Sequence, residues 1–129
     1  MASAKRLSGD PPSPFEIEYG FSRVVTVPGF VLVGGTTSIT GEGVVLGETP
    51  YEQTREILRK ILHELSRAGA MPEDVVQTRV YVTDISRADE VGRAHGEVFG
   101  EIRPLMTMLE VSGLIDPRML VEIEAIALA

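Results

Sequence analysis

At 129 residues the chain has room for one domain, and its 43% hydrophobic residues with only 5% aromatics require a core of aliphatic side chains. Cysteine is absent, which excludes disulfides, thiolate metal sites and a cysteine nucleophile, and suits a reducing compartment. A net charge of −7, with 12 scattered Lys and Arg, argues against a phosphate-backbone partner; no long apolar run argues for a membrane. The expectation is a soluble, cytoplasmic protein that binds neither nucleic acid nor membrane.

Residues 1–14 end in Asp10-Pro-Pro-Ser-Pro14, a run that sustains neither helix nor ladder, and are expected to form a mobile leader before a single domain over 15–129. Phe15 to Tyr19 and Ser22 to Val27 alternate as strands do, and Pro28-Gly29 reads as a two-residue hairpin connection into an apolar strand, Phe30 to Val33. Residues 36–48 carry three glycines and read as loop or irregular strand. Thr49-Pro-Tyr-Glu52 starts a helix: Thr49 caps, Pro50 takes the first helical position and Glu52 completes a capping box. Ile57, Leu58, Ile61, Leu62 and Leu65 form its apolar stripe, and Gly69 ends it.

Val75 to Thr83 reads as a strand, Ser86 as the cap of a second helix with Val91, Ala94 and Val98 inward, and Gly100 as its stop. Strands over Leu105–Val111 and Leu120–Ala127 close the chain. Alternation assigns each of the last three strands two faces. Val76, Val80 and Val82 oppose Gln77, Arg79 and Tyr81; Leu105, Leu109 and Val111 oppose Met106, Met108 and Glu110. In the last strand Val121, Ile123, Ala125 and Ala127 oppose Glu122, Glu124, Ile126 and Leu128. The first set of each is apolar and is expected beneath the helices. The second mixes charge with large apolar groups, as a subunit interface enclosing polar groups does; a half-exposed sheet with cross-strand ion pairs is the alternative.

Four segments carry a resemblance to a known family: Gly29-Phe-Val-Leu-Val-Gly-Gly35, Asp74-Val-Val-Gln-Thr-Arg-Val-Tyr-Val-Thr-Asp84, Pro104-Leu-Met-Thr, and Val121-Glu-Ile-Glu-Ala-Ile-Ala127. In order, spacing and residue type they resemble the reactive intermediate deaminase (Rid, or YjgF) family, with the similarity running from about Phe21 to Ala127. The resemblance implies a chorismate-mutase-like α+β fold: a mixed sheet with two helices on one face, assembled as a homotrimer with small-molecule clefts between subunits. Active members hydrolyse enamines and imines such as 2-aminoacrylate without metal or organic cofactor. Glu122 matches the glutamate associated with positioning water, and Gly35 the glycine bordering the cleft. Gly34 stands for the usual serine, Gly92 for a frequent asparagine, and Phe21 or Tyr19 for a tyrosine.

Met106 stands where the family's substrate-binding arginine is found, in its Pro-x-Arg-Ser run. A guanidinium–carboxylate clamp contributes about 1.5–3 kcal/mol, and methionine offers no donor. Either another cation has taken over or the ligand is not that carboxylate. Arg79 and Arg23 are the candidate replacements, each equally readable as a neutraliser of nearby glutamates. Met106 and Met108 read as pocket-lining or interface residues. Glu122 itself has a structural alternative, as a rim carboxylate paired with Arg79 or Arg118, with Glu124 beside it as a structural partner. His63 is expected in solvent and His95 packed or interfacial. Ser112-Gly113 lacks the preceding glycine of a nucleophile elbow, and no His, Asp or Glu cluster has metal-ligand spacing.

Three functions follow from the resemblance: an enamine or imine hydrolase or tautomerase acting on a metabolite other than 2-aminoacrylate, a non-catalytic metabolite-sensing or protein-binding trimer, and an endoribonuclease. The acidic charge makes the last least attractive.

Overall fold

The computed structural model describes residues 3–129. Strands β1 (Lys5–Leu7), β2 (Val24–Val27), β3 (Phe30–Thr36), β4 (Val75–Val82), β5 (Leu105–Glu110) and β6 (Val121–Leu128) form one mixed sheet in the order β1-β2-β3-β6-β4-β5. Every neighbouring pair is antiparallel except β4 and β5. Helices α2 (Pro50–Arg67) and α3 (Ala88–Phe99) pack on each other, and their apolar sides join one face of the sheet in a single core. This is the mixed α+β arrangement expected.

The capping signals at α2 operate as read: Thr49 Oγ1 accepts from Glu52 N, and Glu52 Oε1 accepts from Thr49 N. Gly69 follows the helix with φ 83°, a conformation that other residues rarely adopt. The stripe of Ile57, Leu58, Ile61 and Leu65 is fully buried against Val31, Val80, Val121 and Ile123. Pro28-Gly29 joins β2 to β3 with Val27 facing Phe30.

Four expectations are corrected. Lys5–Leu7, in the stretch read as a mobile leader, pairs with Val24–Thr26 as the sheet's edge strand; the prolines that break a ladder come only after it. Phe15–Tyr19 is a short helix, α1, rather than a strand. Pro14 suits a helix start, and the Ser13-Pro-Phe-Glu16 pattern returns the Glu16 carboxylate to Ser13 N. Asp84, not Ser86, caps the turn before α3, accepting from Ser86 N. In β4 a register shift between Val75 and Gln77 turns Val76 out to 37% exposure and leaves Val75 and Thr78 buried.

The faces of β5 are also reversed. Its parallel register sets Met106 beside buried Thr78 and Met108 beside buried Val80, so both methionines lie on the helix side. Met108 packs against the core, while Leu105 is 72% exposed. The more apolar face of this edge strand is therefore the uncovered one. Alternation in β6 holds as read, with Val121, Ile123, Ala125 and Ala127 inward.

Candidate functional site

The site begins at a bulge. In β3, Val33 faces Ala125 of β6 and Thr36 faces Ile123, so Gly34 and Gly35 together oppose Glu124 alone. The extra residue brings the backbone at Gly35 against the Glu122 side chain. A Cβ at Gly35 would lie 2.9 Å from Glu122 Oε2 and 3.1 Å from its Cδ, so the absence of a side chain there is what lets the carboxylate occupy this place. Gly34 N donates to Arg23 O, tying the bulge to the start of β2.

A cavity of about 330 Å³ opens over this corner, lined by Ser13, Phe15, Phe21, Arg23, Gly35, Thr37, Ile39, Ile115, Met119 and Glu122. Burial pushes the Glu122 carboxyl above the ordinary carboxylate range; the charge of Glu124 adds to this and the Arg23 guanidinium opposes it. Glu122 thus has the character of an acid–base group whose protonated form is favoured by its surroundings.

Arg23 forms part of the cavity wall and is 3% exposed. Its Nη2 donates to Glu16 Oε2 at 3.3 Å, and that carboxylate also accepts from Gly9 N at 2.8 Å and from Ser13 N. Arg23 Nε and Nη1 are buried without a hydrogen-bond partner. On the far side, Lys60 of α2 donates to Thr37 O at 2.6 Å and Ile39 O at 2.8 Å, clamping the loop that supplies the opposite wall. Burial, then the nearby Arg23 charge, lowers the Lys60 ammonium to about 8.

The residues singled out from sequence divide here. Glu122, Gly35, Phe21 and Arg23 come together; Tyr19 is absent from the cavity lining. Gly34 and Arg79 line a neighbouring cavity of about 400 Å³ on the open sheet face, which Arg23 also borders, with Ser22, Leu32, Gln77, Glu124 and Ile126. Arg79 pairs there with Glu124 at 3.4 Å, and Tyr81 donates to the same carboxylate at 2.7 Å. Arg118 pairs with Asp116. Neither arginine meets Glu122, so the rim-carboxylate alternative loses both of its partners. Met106 and Met108, on the helix side of the sheet, do not share a face with Glu122 within one chain, contrary to their expected place on the cleft side. His63 contacts Asp10 near the surface, and buried His95 makes a 2.8 Å hydrogen bond with Thr78 Oγ1 beside Phe99.

Ser13, Phe15, Thr37, Ile39, Ile115 and Met119 went unselected by sequence, as did Glu16, the partner that holds Arg23. The capping pattern at Ser13–Glu16 was the available signal for Glu16; the loop residues carried none. Among the described residues no group of three His, Asp or Glu side chains is placed to hold a metal ion.

Residues 13–129 match the family model described as Endoribonuclease L-PSP. The chain belongs to the Rid/YjgF family. A Mycobacterium tuberculosis YjgF/YER057c/UK114 protein superposes with TM-score 0.87 at 46% identity, covering 98% of this chain and 100% of that one. An uncharacterized Streptomyces coelicolor protein is 39% identical over 112 residues, 87% of this chain and 84% of its own. The 3-aminoacrylate deaminase RutC of Acinetobacter baylyi is 35% identical over 75 residues, 58% of this chain and 59% of that protein. The Rid fold is thus matched along nearly the whole chain, and a named deaminase along a little over half.

Proposed function

We propose that this Rid protein binds a small metabolite in the cleft of Phe21, Arg23, Gly35 and Glu122 and hydrolyses or tautomerises an enamine or imine other than 2-aminoacrylate. The observation that carries the proposal is the Glu122 carboxyl, raised by burial and seated against a glycine in an apolar-walled cleft. Such a group takes a proton from water as the water adds to an imine carbon and returns it to the departing amine. Hydrolysis on these lines releases ammonia and a carbonyl compound, and needs no cofactor. The deaminase named among the relatives supports the reaction class.

The protein acts as a homotrimer in this proposal, in the cytoplasm. The uncovered face supports assembly: Leu105 is 72% exposed, Leu109 37% and Leu128 47%, around the apolar walls of the 400 Å³ cavity. Arg79 and Gly34 then serve at or beside the subunit boundary rather than on the ligand, while Met106 and Met108 lie on the helix side of the sheet. A second reading, a non-catalytic metabolite-binding trimer, draws on Met106, which has no donor to place against a substrate carboxylate.

The test is trapping kinetics. Imines generated by an amino-acid oxidase are intercepted by semicarbazide, and the protein is expected to lower semicarbazone yield with apolar substrates more than with 2-aminoacrylate. Glu122→Gln should abolish the effect while the fold is retained. Turnover unaffected by that substitution would sink the catalytic reading, and saturable binding without turnover would favour the second.

A further inference from the structure

We infer that Lys60 is a positioning residue for the cleft, and that by fixing the Thr37–Ile39 wall from behind it sets which ligand bodies the cleft accepts. This deepens the reading of the cleft as the ligand site and rests on it.

Lys60 lines no part of the cleft itself. It reaches from α2 to the back of the wall, where its Nζ donates to Thr37 O at 2.6 Å and to Ile39 O at 2.8 Å. Thr37 and Ile39 line the cleft. Among the described residues Lys60 forms no ion pair with a carboxylate. A half-buried ammonium without such a partner costs free energy, and here the two carbonyls offset that cost. Burial, then the Arg23 charge, lowers the ammonium to about 8. At neutral pH it is still mainly protonated, and both bonds are charge-assisted.

Packing alone does not fix this wall. A second cavity, of about 100 Å³, lies on the α2 side and is lined by Lys60, Leu46, His63 and Glu64 among others; Ile39 borders both it and the cleft. A segment with open space on two sides lacks part of the close contact that holds a core residue in one place. The loop's backbone bonds do not fasten Thr37 or Ile39 to the helix either. Thr40 N to Val44 O and Leu46 N to Ser38 O fold the loop on itself. Ser38, between the two clamped residues, is buried with its Oγ partnerless. The two bonds from Lys60 therefore set how far the Ile39 side chain stands into the cleft. In a pocket of fixed shape one methylene group discriminates between substrates by about 10–200-fold, and a wall that yields loses that discrimination.

The test compares the native protein with Lys60→Met, which keeps an apolar stem and loses the donors. The control is Arg59→Met, whose native side chain pairs with Glu56 on the same helix. Rates are read by semicarbazide competition on the imines that an amino-acid oxidase forms from alanine, leucine and phenylalanine. The native protein should spread these by at least about tenfold in kcat/KM. In Lys60→Met the spread should shrink at least about fivefold, through KM, with kcat for the best imine within about twofold, because no group on the reacting atoms has changed. Arg59→Met should keep the native spread. If Lys60→Met does not fold, Lys60→Ala, short and helix-favouring, carries the same expectation; failure of both to fold overturns the inference, since Lys60 then holds the fold rather than the wall. An unchanged spread in a folded Lys60 variant, equal shrinkage in Arg59→Met, or a native protein that turns over all three imines alike also overturns it, and leaves the cleft reading standing. A native protein that turns over none of them removes the cleft reading as a catalytic site, and this role with it.

Discussion

The two faces of the sheet are built from one alternating sequence and finished to different degrees. On the helix side Val24, Val31, Val80, Val121 and Ile123 meet Ile57, Leu58, Ile61 and Leu65, all of them wholly buried. The polar groups there are satisfied within the chain: Thr78 with His95, Thr54 with Pro50 O, and Gln53 with Gly47 O, Arg118 O and Leu120 N. On the opposite side Leu105, Leu109 and Leu128 face outward, the Arg79–Glu124 pair is in solvent, and at the corner Arg23 keeps two partnerless donors. Closed packing accounts for the fold. Under the proposed function, the open face and its corner are where a ligand and neighbouring subunits would have something to complete.

The largest contrast lies in stability. Ile61→Ala opens a cavity in the closed face and should cost about 2–5 kcal/mol in urea unfolding, at every protein concentration. Leu105→Ala removes an exposed side chain and should change the stability of an isolated chain by no more than about 0.5 kcal/mol. Under the trimer proposal its effect instead enters through assembly, as a lower mass in light scattering and a melting temperature that depends on concentration. A large, concentration-independent loss in Leu105→Ala would erase the distinction between the faces.

Gly35→Ala sharpens the comparison at the corner. The new methyl group meets the far end of Glu122, which is free to swing, so unfolding should shift by less than about 1–2 kcal/mol. The carboxylate is displaced toward water, and the burial that raises its pKa is lost. Carbon-detected titration of Glu122 should therefore move back toward the ordinary value, with ligand turnover falling alongside. An unmoved titration would mean that the bulge does not set the carboxylate's environment.

Much of the closed face was legible because local signals and burial agree there: the capping box at Thr49, the stripe of α2 and the alternation of β6 all point the same way. Legibility failed where tertiary pairing decides. The Val75–Gln77 bulge inverts two residues without leaving a mark in composition, and parallel pairing with β4 turns Met106 and Met108 to the helices. Phe15–Tyr19 alternates like a strand, yet Ser13, Pro14 and Glu16 make it a helix, and with it the floor that holds Arg23. Glu122, Gly35, Phe21 and Arg23, singled out in sequence, line one cavity; the walls from the 37–39 and 115–119 loops were not singled out, since their place in it comes only from where the chain carries them.

The smallest expected effect separates stability from function at one residue. Glu122 has a folded-state pKa above its ordinary value of 4.5, chiefly through burial. Between that value and the raised one the folded chain holds more protons than the unfolded chain, so its stability declines as pH rises through this window. The loss at neutral pH is set by the size of the upward shift and is reduced by solvent reaching a half-buried group. Glutamine is uncharged throughout. Glu122→Gln should hence be more stable than the native chain at pH 7, with the difference vanishing below pH 4.5, while turnover is lost. Urea midpoints measured from pH 4 to 8 for both proteins read the effect directly. A variant that is less stable at neutral pH would mean that the Glu122 carboxylate is held by its surroundings as a structural anion, and the corner would belong with the closed face instead of the open one.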